Sequence, residues 1–252
     1  MLLETLGLTK RFGGVTAVDR VDLSIAAGEA LGLIGPNGAG KTTLINLISG
    51  VVRADSGTIR LAGSDVTRLP AHRLAALGIA RTFQGVRVFK GLTVHENVLV
   101  GRYTRMRTDV LARLAPRPRA ASDPHRARAL ELIDRVGLGR RRADALAGEL
   151  PYGDQRRLEI ARALASEPRL LILDEPAAGM NPTESAGLRA LIGGLQEEGL
   201  TILLIEHDVR LVMDTCQRIA VLNFGRKIAD GTPAEVQRDP AVREAYLGLE
   251  VA

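Results

Sequence analysis

One stretch of nine residues constrains this chain of 252 residues more than any other. It is a glycine-rich run of the form G-x-x-x-x-G-K-[ST], with an apolar run at 30–34 before it and a helical pattern at 43–48 after it. Strand, glycine-rich turn and helix are the context in which this pattern forms a phosphate-binding loop. We therefore predict such a loop, made by Gly35, Pro36, Asn37, Gly38, Ala39, Gly40, Lys41, Thr42 and Thr43.

The residue types of this loop suit a nucleotide phosphate that binds together with Mg²⁺. Glycines let successive backbone N–H groups approach an anion, and the helix N-terminus adds unpaired donors and partial positive charge. Lys41 would meet the β- and γ-phosphates, and the Thr42 hydroxyl would ligate Mg²⁺. The alternative is a chance glycine-rich turn, which the full pattern between a strand and a helix disfavours.

Bulk composition narrows the class of protein. Hydrophobic residues make up 46% and charged residues 25% of the chain, values typical of a globular domain. The net charge of +5 could suit nucleic acid or an anionic membrane surface, but no dense basic block exists, so we expect no nucleic-acid partner. The one cysteine, Cys216, is expected to be a small buried hydrophobe. Without a signal-peptide pattern or an apolar run near the ~20 residues of a membrane span, we expect a soluble chain or one peripheral through a partner.

Apolar runs alternate with helical patterns along most of the chain, which predicts an α/β fold with a mainly parallel sheet. Strands at 2–8 and 21–25 are expected to form an N-terminal antiparallel β part. Helical patterns dominate the middle third, where Thr93 is a candidate N-cap. We predict one P-loop domain spanning 1–252, with a core at roughly 1–85 and 166–252 and an inserted helical subdomain at roughly 86–165.

The segment 102–128 is rich in arginine and is interrupted by Pro116, Pro118 and Pro124, which forbid one continuous helix. We expect two helical pieces there. Its arginines could meet lipid phosphates or a partner, although a solvated face is favoured. They include Arg105, Arg107, Arg113, Arg117 and Arg119. Elsewhere we expect strands at 58–63, 79–83, 170–173, 201–205, 218–222 and 226–229, and helices at 70–77, 94–100, 127–136, 155–165 and 184–198.

Polar side chains follow several of these strands at the points where they end. Ligands of open α/β sheets bind beyond the carboxyl ends of the strands, so Gln84, Asp174, Glu175 and His207 are expected to meet near the loop. Asp174 would hold Mg²⁺ through water, and Glu175 would be the general base that orients the attacking water. His207 would contact the γ-phosphate, and Gln84 would touch Mg²⁺ or the water. The alternatives are a solvated acidic pair and a lone surface histidine.

Two further features bear on nucleotide binding. Phe12 lies beside glycines, in an expected turn, where it could stack on adenine or serve as a hydrophobic staple; its spacing leaves both open. Gly153 precedes a predicted helix and offers a second phosphate-binding N-terminus. Since one nucleotide can hardly use two such helices of one chain, we expect a head-to-tail dimer in which Gly153 covers the other subunit's nucleotide. An ordinary helix start is the alternative.

Together these residues resemble the ATP-binding subunits of ABC transporters over nearly the whole chain. Phe12 matches the aromatic A-loop, residues 35–43 match Walker A, and Gln84 matches the Q-loop. Residues 151–155 stand where the LSGGQ signature belongs. Walker B with its catalytic glutamate, the D-loop and the switch histidine are matched by 170–175, 179–182 and His207. The resemblance implies an ATPase that uses ATP and Mg²⁺ and acts as a dimer.

Finer matches resemble the LivG type, which serves importers of branched-chain amino acids. They lie at 81–84, 152–153, 177–182, 205–208 and 245–248. The resemblance implies a second ATPase subunit (hetero- or homodimer), two transmembrane permease subunits docked near Val86-Arg87-Val88-Phe89, and indirectly a periplasmic solute-binding protein. It also implies a peripheral location on the cytoplasmic face of the inner membrane. Because Pro151 and Tyr152 depart from the signature, only Gly153 and Gln155 are assigned as nucleotide contacts there.

Other functions remain as alternatives. The ATPase of a lipopolysaccharide-export system shares the Tyr-Leu-Gly ending at 246–248, but that type lacks the arginine-rich segment. A non-transport ABC ATPase would carry fused domains, further cysteines or basic arms. A P-loop kinase or GTPase would not need Gln84, Gly153 and His207 in this order. The sequence does not identify the solute, because solute contacts lie in other subunits.

Overall fold

The computed structural model describes residues 1–106 and 124–247, and in this part of the chain the strands form two sheets. The first sheet is antiparallel, with the strand order β2-β1-β4-β5. The second has the order β10-β9-β3-β8-β7-β6 and is parallel except for β10 at its edge. The bounds are β1 Leu3–Phe12, β2 Val15–Ile25, β3 Ala30–Ile34, β4 Ser56–Leu61, β5 Ser64–Asp65, β6 Ile79–Arg81, β7 Leu170–Asp174, β8 Thr201–Ile205, β9 Arg218–Asn223 and β10 Arg226–Gly231.

Three adjacent interior strands of the parallel sheet, β3, β8 and β7, are buried at every residue. Alternate side chains point to opposite faces: Leu171 and Leu173 join one apolar cluster, while Leu170 and Ile172 join the other. Both faces are therefore covered, which is why these strands are continuous apolar runs in the sequence. The predicted α/β class, with its parallel sheet and N-terminal antiparallel part, is confirmed.

Helices cover both faces of this sheet. Thr93 caps its helix with a capping box to Glu96, as predicted, and Asn181 caps another with Pro182 as the first helical residue. Every described element between β6 and β7 is helical. The helices are α1 Lys41–Ile48, α2 Ala71–Ala76, α3 Val94–Gly101, α4 Tyr103–Met106, α5 Pro124–Arg135, α6 Tyr152–Leu164, α7 Pro182–Glu197, α8 Val209–Thr215, α9 Pro233–Arg238 and α10 Pro240–Leu247, with 3₁₀ turns at Arg140–Arg142 and Ala147–Glu149.

The structure corrects several predicted boundaries. Phe12 is the last residue of β1 rather than part of a turn, because Gly13 and Gly14 alone make the hairpin connection to β2. The predicted strand at 79–83 ends at Arg81. Gly153 lies inside α6 rather than before it, because Pro151 has the extended conformation of an N-cap and Tyr152 is already helical.

The predictions for the arginine-rich segment are only partly covered by the described residues. Arg105 lies in α4 and donates to the carbonyl oxygens of Ser166 and Glu167 at 2.9 and 3.0 Å. Arg107, Arg113, Arg117 and Arg119 lie outside the described residues. None of the helices within 1–106 and 124–247 has the length and apolar character that crossing a bilayer requires.

Candidate nucleotide site

The predicted phosphate loop joins β3 to α1 at the carboxyl edge of the parallel sheet. Two of its glycines have no room for a side chain. A Cβ on Gly35 would lie 2.2 Å from the carbonyl oxygen of Leu222, and one on Gly40 would lie 2.3 Å from that of Ala17. Gly40 also has a φ of 99°, which other residues rarely adopt. The loop therefore follows closely the backbone of β2 and β9.

Several backbone donors of this loop have no acceptor among the described residues. The N–H groups of Gly38, Gly40, Lys41, Thr42 and Thr43 form no hydrogen bond within the part of the chain that the structure describes, whereas the next N–H along the helix is bonded. These donors at a helix N-terminus are suited to an anion. The loop thus fits the phosphates of a nucleotide.

Lys41 supplies the positive charge of the loop. Its ammonium group donates to the carbonyl oxygens of Gly35 and Pro36 at 2.6 and 3.0 Å. Burial lowers the pKa of Lys41, and the nearby carboxylates of Glu175 and Asp174 oppose that shift. A buried cation held only by carbonyl oxygens lacks an anionic partner in direct contact, and a phosphate would supply one.

The loop and the polar strand ends enclose one cavity of 250 Å³. At the edge of this cavity, the carboxylate of Glu175 contacts both Gln84 and His207. Gln84 Nε2 donates to Glu175 Oε2 at 2.9 Å, and His207 Nε2 lies 2.8 Å from Glu175 Oε1. Glu175 has a φ of 48°, so its side chain leaves the strand end in a different direction from that of Asp174. The lining residues are Ala17, Asn37, Gly38, Ala39, Gly40, Lys41, Thr42, Thr43, Gln84, Glu175 and His207.

Asp174 lies behind this cavity and has a partner that our sequence analysis missed. Its Oδ2 forms a buried ion pair with Arg81 at 2.8 Å. Its Oδ1 accepts no hydrogen bond from the described residues. The sequence offered one signal for this pair: Arg81 is a charged residue at the end of a short buried strand, and a buried charge needs a partner.

Glu206 is a second residue near the site that was not predicted from the sequence. Its carboxylate is buried and accepts from the N–H of Ala177 at 2.7 Å and from that of His207 at 3.3 Å. Burial raises the pKa of Glu206 despite these two hydrogen bonds. Glu206 therefore ties the segment after Glu175 to the segment that carries His207.

Within the loop, Gly35 and Pro36 do not line the cavity. Outside it, three further predicted nucleotide contacts do not line the cavity of their own chain either. Phe12 is half exposed, with the Lys10 ammonium 5.4 Å from its ring centroid, so it is not a buried staple. Gly153 is buried beside Glu184, whose Oε1 would lie 2.6 Å from an added Cβ. Gln155 donates to the carbonyl oxygen of Leu150 at 2.8 Å. Their roles stay predictions.

The donors near the loop fit a magnesium ion that is held mainly by phosphate and water. No group of three or more His, Cys, Asp or Glu side chains suited to a metal forms within residues 1–106 and 124–247. Mg²⁺ characteristically binds one or two protein oxygens and completes its shell with phosphates and water. Thr42, Gln84 and Asp174 offer oxygens of the required kind.

Two family models match the chain. The model of the ABC transporter family matches residues 18–178. The model of the branched-chain amino acid ATP-binding cassette transporters matches residues 226–252, which begin with β10. The first match spans more than half of the chain and contains the loop, Gln84, Asp174 and Glu175.

Similar proteins extend over nearly the full length. The chain is 46% identical to the high-affinity branched-chain amino acid transport ATP-binding protein BraF of Pseudomonas aeruginosa, with 98% of each chain covered. It is 38% identical to the lipopolysaccharide export system ATP-binding protein LptB of Haemophilus influenzae, with 98% of this chain and 97% of that protein covered. The structure is similar to the ADP conformation of the cassette MJ1267, with a TM-score of 0.85, 33% identity and 98% of each chain covered. It is also similar to a dimeric cassette, MJ0796, bound to ADP and Pi, with a TM-score of 0.77, 25% identity, and 92% of this chain and 99% of that chain covered.

Proposed function

Because the chain belongs to the ATP-binding subunits of ABC transporters, we propose that it powers an importer of branched-chain or other hydrophobic amino acids. It is an ATPase of the nucleotide-binding cassette type, and such subunits work as dimers with membrane permeases, peripheral to the membrane. The family resemblance noted in the sequence is confirmed. The assignment of the solute rests on the BraF similarity and on the C-terminal branched-chain match.

The observation that carries the catalytic proposal is the position of Glu175 opposite the phosphate loop. ATP would set its β- and γ-phosphates against Lys41 and the unpaired N–H groups, with Mg²⁺ held by Thr42, Gln84 and Asp174 mainly through water. Glu175 would accept the proton of a water that attacks the γ-phosphate in line. In the structure, Gln84 and His207 both contact the Glu175 carboxylate, so both can orient it. When ATP binds, both side chains could leave the carboxylate and contact the γ-phosphate instead.

A second subunit is part of this proposal. The start of α6 lies away from the cavity of its own chain, with Tyr152 exposed and Gly153 buried beside Glu184, and in this proposal it would face a nucleotide bound by the partner. Phe12 would stack on adenine from the β1–β2 hairpin, since its ring is half exposed. ATP would then join two subunits, and hydrolysis would separate them.

The permease would dock in a groove of 660 Å³ beside the Q-loop. Phe89 is exposed at its rim, whereas Val86 and Val88 are half-buried, so only part of the predicted apolar segment is available for contact. Arg87 is exposed beside them. A permease segment with apolar side chains and a carboxylate would match this groove. Its described lining includes Phe83, Arg87, Val88, Phe89, Val100 and Arg162.

Glu175→Gln tests the catalytic proposal. The amide cannot take up a proton, so the variant should bind ATP, retain it in a stable dimer and lose turnover by at least about 100-fold. Steady-state hydrolysis and dimer formation measured by size-exclusion chromatography with ATP report the two effects. Glu131→Gln, on the exposed face of α5, is the matched control and should behave like the wild type. Unchanged hydrolysis in Glu175→Gln would overturn the assignment.

The transported solute needs a separate test, because the similarity to LptB supports lipopolysaccharide export as a second candidate. The chain should be purified with the permeases encoded beside it and reconstituted in proteoliposomes. We expect ATP hydrolysis to rise when a leucine-loaded solute-binding protein is added, and to remain unchanged with lipopolysaccharide. The reverse pattern would establish export instead. No response to either would contradict both.

A further inference from the structure

Arg81 sits between the nucleotide site and the groove, and its contacts differ from those of an ordinary surface arginine. Its side chain is 8% exposed. One terminal nitrogen, Nη2, pairs with Asp174 Oδ2 at 2.8 Å, and the other, Nη1, donates to Asn46 Oδ1 at 2.7 Å and Ser49 Oγ at 3.1 Å. One guanidinium therefore fastens the end of β7 to the side of α1.

The same guanidinium continues toward the groove through an aromatic ring. The Cζ atoms of Arg81 and Arg87 lie 5.1 and 4.8 Å from the ring centroid of Phe83. Both distances are within the range of cation–π attraction. All three side chains line the groove, so anything that displaces Phe83 or Arg87 also changes the surroundings of Arg81.

These contacts fix the orientation of the Asp174 carboxylate, which is predicted to bind Mg²⁺. With Oδ2 held by Arg81, the rotamer of Asp174 is set and only Oδ1 remains for a hydrated cation. A ligand oriented by hydrogen bonds binds metal better than one that is free to rotate, and losing such a support typically costs 10–100-fold in affinity. Lysine could not replace Arg81, because a single ammonium lacks the planar fork that reaches Asp174, Asn46 and Ser49 together.

We propose that Arg81 is a positioning residue that orients Asp174 for Mg²⁺ and links this orientation, through Phe83, to the occupancy of the groove. The inference rests on the proposed function, in which Asp174 serves Mg²⁺ and a permease fills the groove. Arg81 does not line the nucleotide cavity and acts through its contact with Asp174. Its effect is on how much Mg²⁺ strengthens nucleotide binding.

The test measures equilibrium binding of a non-hydrolysable ATP analogue to the full chain in excess EDTA and in excess Mg²⁺. The ratio of the two affinities is the magnesium gain. Arg81→Lys should lower this gain about 10-fold while leaving the affinity in EDTA unchanged, since the loop and Lys41 are intact. Arg218→Lys is the matched control, because Arg218 pairs with Asp230 at the opposite end of the parallel sheet; it should keep the full gain.

Two further variants test the contacts of Arg81 without changing Arg81 itself. Asn46→Ala removes one support of Arg81 without touching Asp174 or any charge, and should lower the gain even if Arg81→Lys folds poorly. Phe83→Leu removes the stack and should lower it less, by about twofold to fivefold. A full gain in Phe83→Leu would overturn the link to the groove.

Asp174→Asn distinguishes a failure of the proposed Mg²⁺ role of Asp174 from a failure of the proposed role of Arg81. If it has the same gain as the wild type, the proposed role of Asp174 toward Mg²⁺ is wrong. If Asp174→Asn loses the gain while Arg81→Lys and Asn46→Ala retain it, the catalytic proposal stands and the inference about Arg81 is wrong.

Discussion

Arg156 on α6 is the residue whose removal we expect to disturb the molecule most among single charge substitutions. Its guanidinium is buried and donates to the carbonyl oxygens of Phe83 and Gln84 at 2.9 and 2.5 Å. It also pairs with the buried carboxylate of Glu159 at 3.4 Å. Arg156 therefore attaches the helix that carries the signature to the segment that ends in Gln84. Arg156→Met keeps an unbranched side chain, although a shorter one, and removes the charge and every donor.

The magnitude follows from what the substitution leaves behind. Breaking a buried ion pair by removing one partner costs about 3–5 kcal/mol, because the other charge stays buried. Glu159 retains the N–H of Arg87 at 2.7 Å and the guanidinium of Arg162 at 3.6 Å, so the lower end applies. We expect Arg156→Met to lose about 3 kcal/mol, which lowers the melting temperature by about 6–12 °C. The chain should still fold, since domains have about 5–15 kcal/mol of stability.

The loss should depend on pH in a direction that the pKa of Glu159 determines. Burial raises this pKa above its ordinary 4.5, although the Arg87 N–H and the charges of Arg156 and Arg162 oppose the shift. Removing Arg156 raises it further. The folded state then keeps its proton to a higher pH than the unfolded state, so stability falls as pH rises from 4.5 through the folded pKa. The destabilisation should be smaller at pH 5 than at pH 8.

Urea unfolding at these two pH values, followed by circular dichroism, measures the effect. The double variant Arg156→Met/Glu159→Gln should recover part of the loss, because no unpaired carboxylate remains buried. Arg140→Met removes an exposed ion pair to Asp134 and should cost less than about 1 kcal/mol. A loss in Arg156→Met no larger than in Arg140→Met, or no recovery in the double variant, would refute this account.

Three further predictions concern single positions. His207→Ala should still bind ATP while kcat falls by about 100-fold, because Glu175 loses the contact that orients it; an unchanged kcat in a steady-state assay would contradict this role. Gly40→Ala should lower the melting temperature and lose its increase on adding ATP, since the new Cβ would collide with the Ala17 carbonyl; a retained ATP-induced increase would be incompatible with the loop geometry. Cys216 is buried with its pKa raised to about 12, so Ellman's reagent at pH 8 should label it only in urea; rapid labelling of the folded chain would disprove its burial.

Local pattern was sufficient for most of the fold. The runs at 170–173 and 201–205 predict β7 and β8 because strands buried on both faces need apolar residues throughout. The capping residue Thr93 and the two strands at 218–222 and 226–229 were predicted from local residue types, and both predictions are confirmed. Boundaries were less accurate: the start of α6 depended on Pro151, which has the extended conformation of an N-cap, one turn earlier than the apolar pattern indicates.

By itself, the sequence determined the phosphate loop and the class of site, because glycines, a strand end and a helix start within about ten residues define that geometry locally. It also indicated that Gln84, Glu175 and His207 follow strands of one sheet. The tertiary structure alone decided which buried charges meet. Arg81 and Asp174 are 93 residues apart, and Arg156 reaches Gln84 across 72. Those pairings depend on the strand order β3-β8-β7-β6 and on the rotation of α6, which are set by the packing of the whole core and not by any local run.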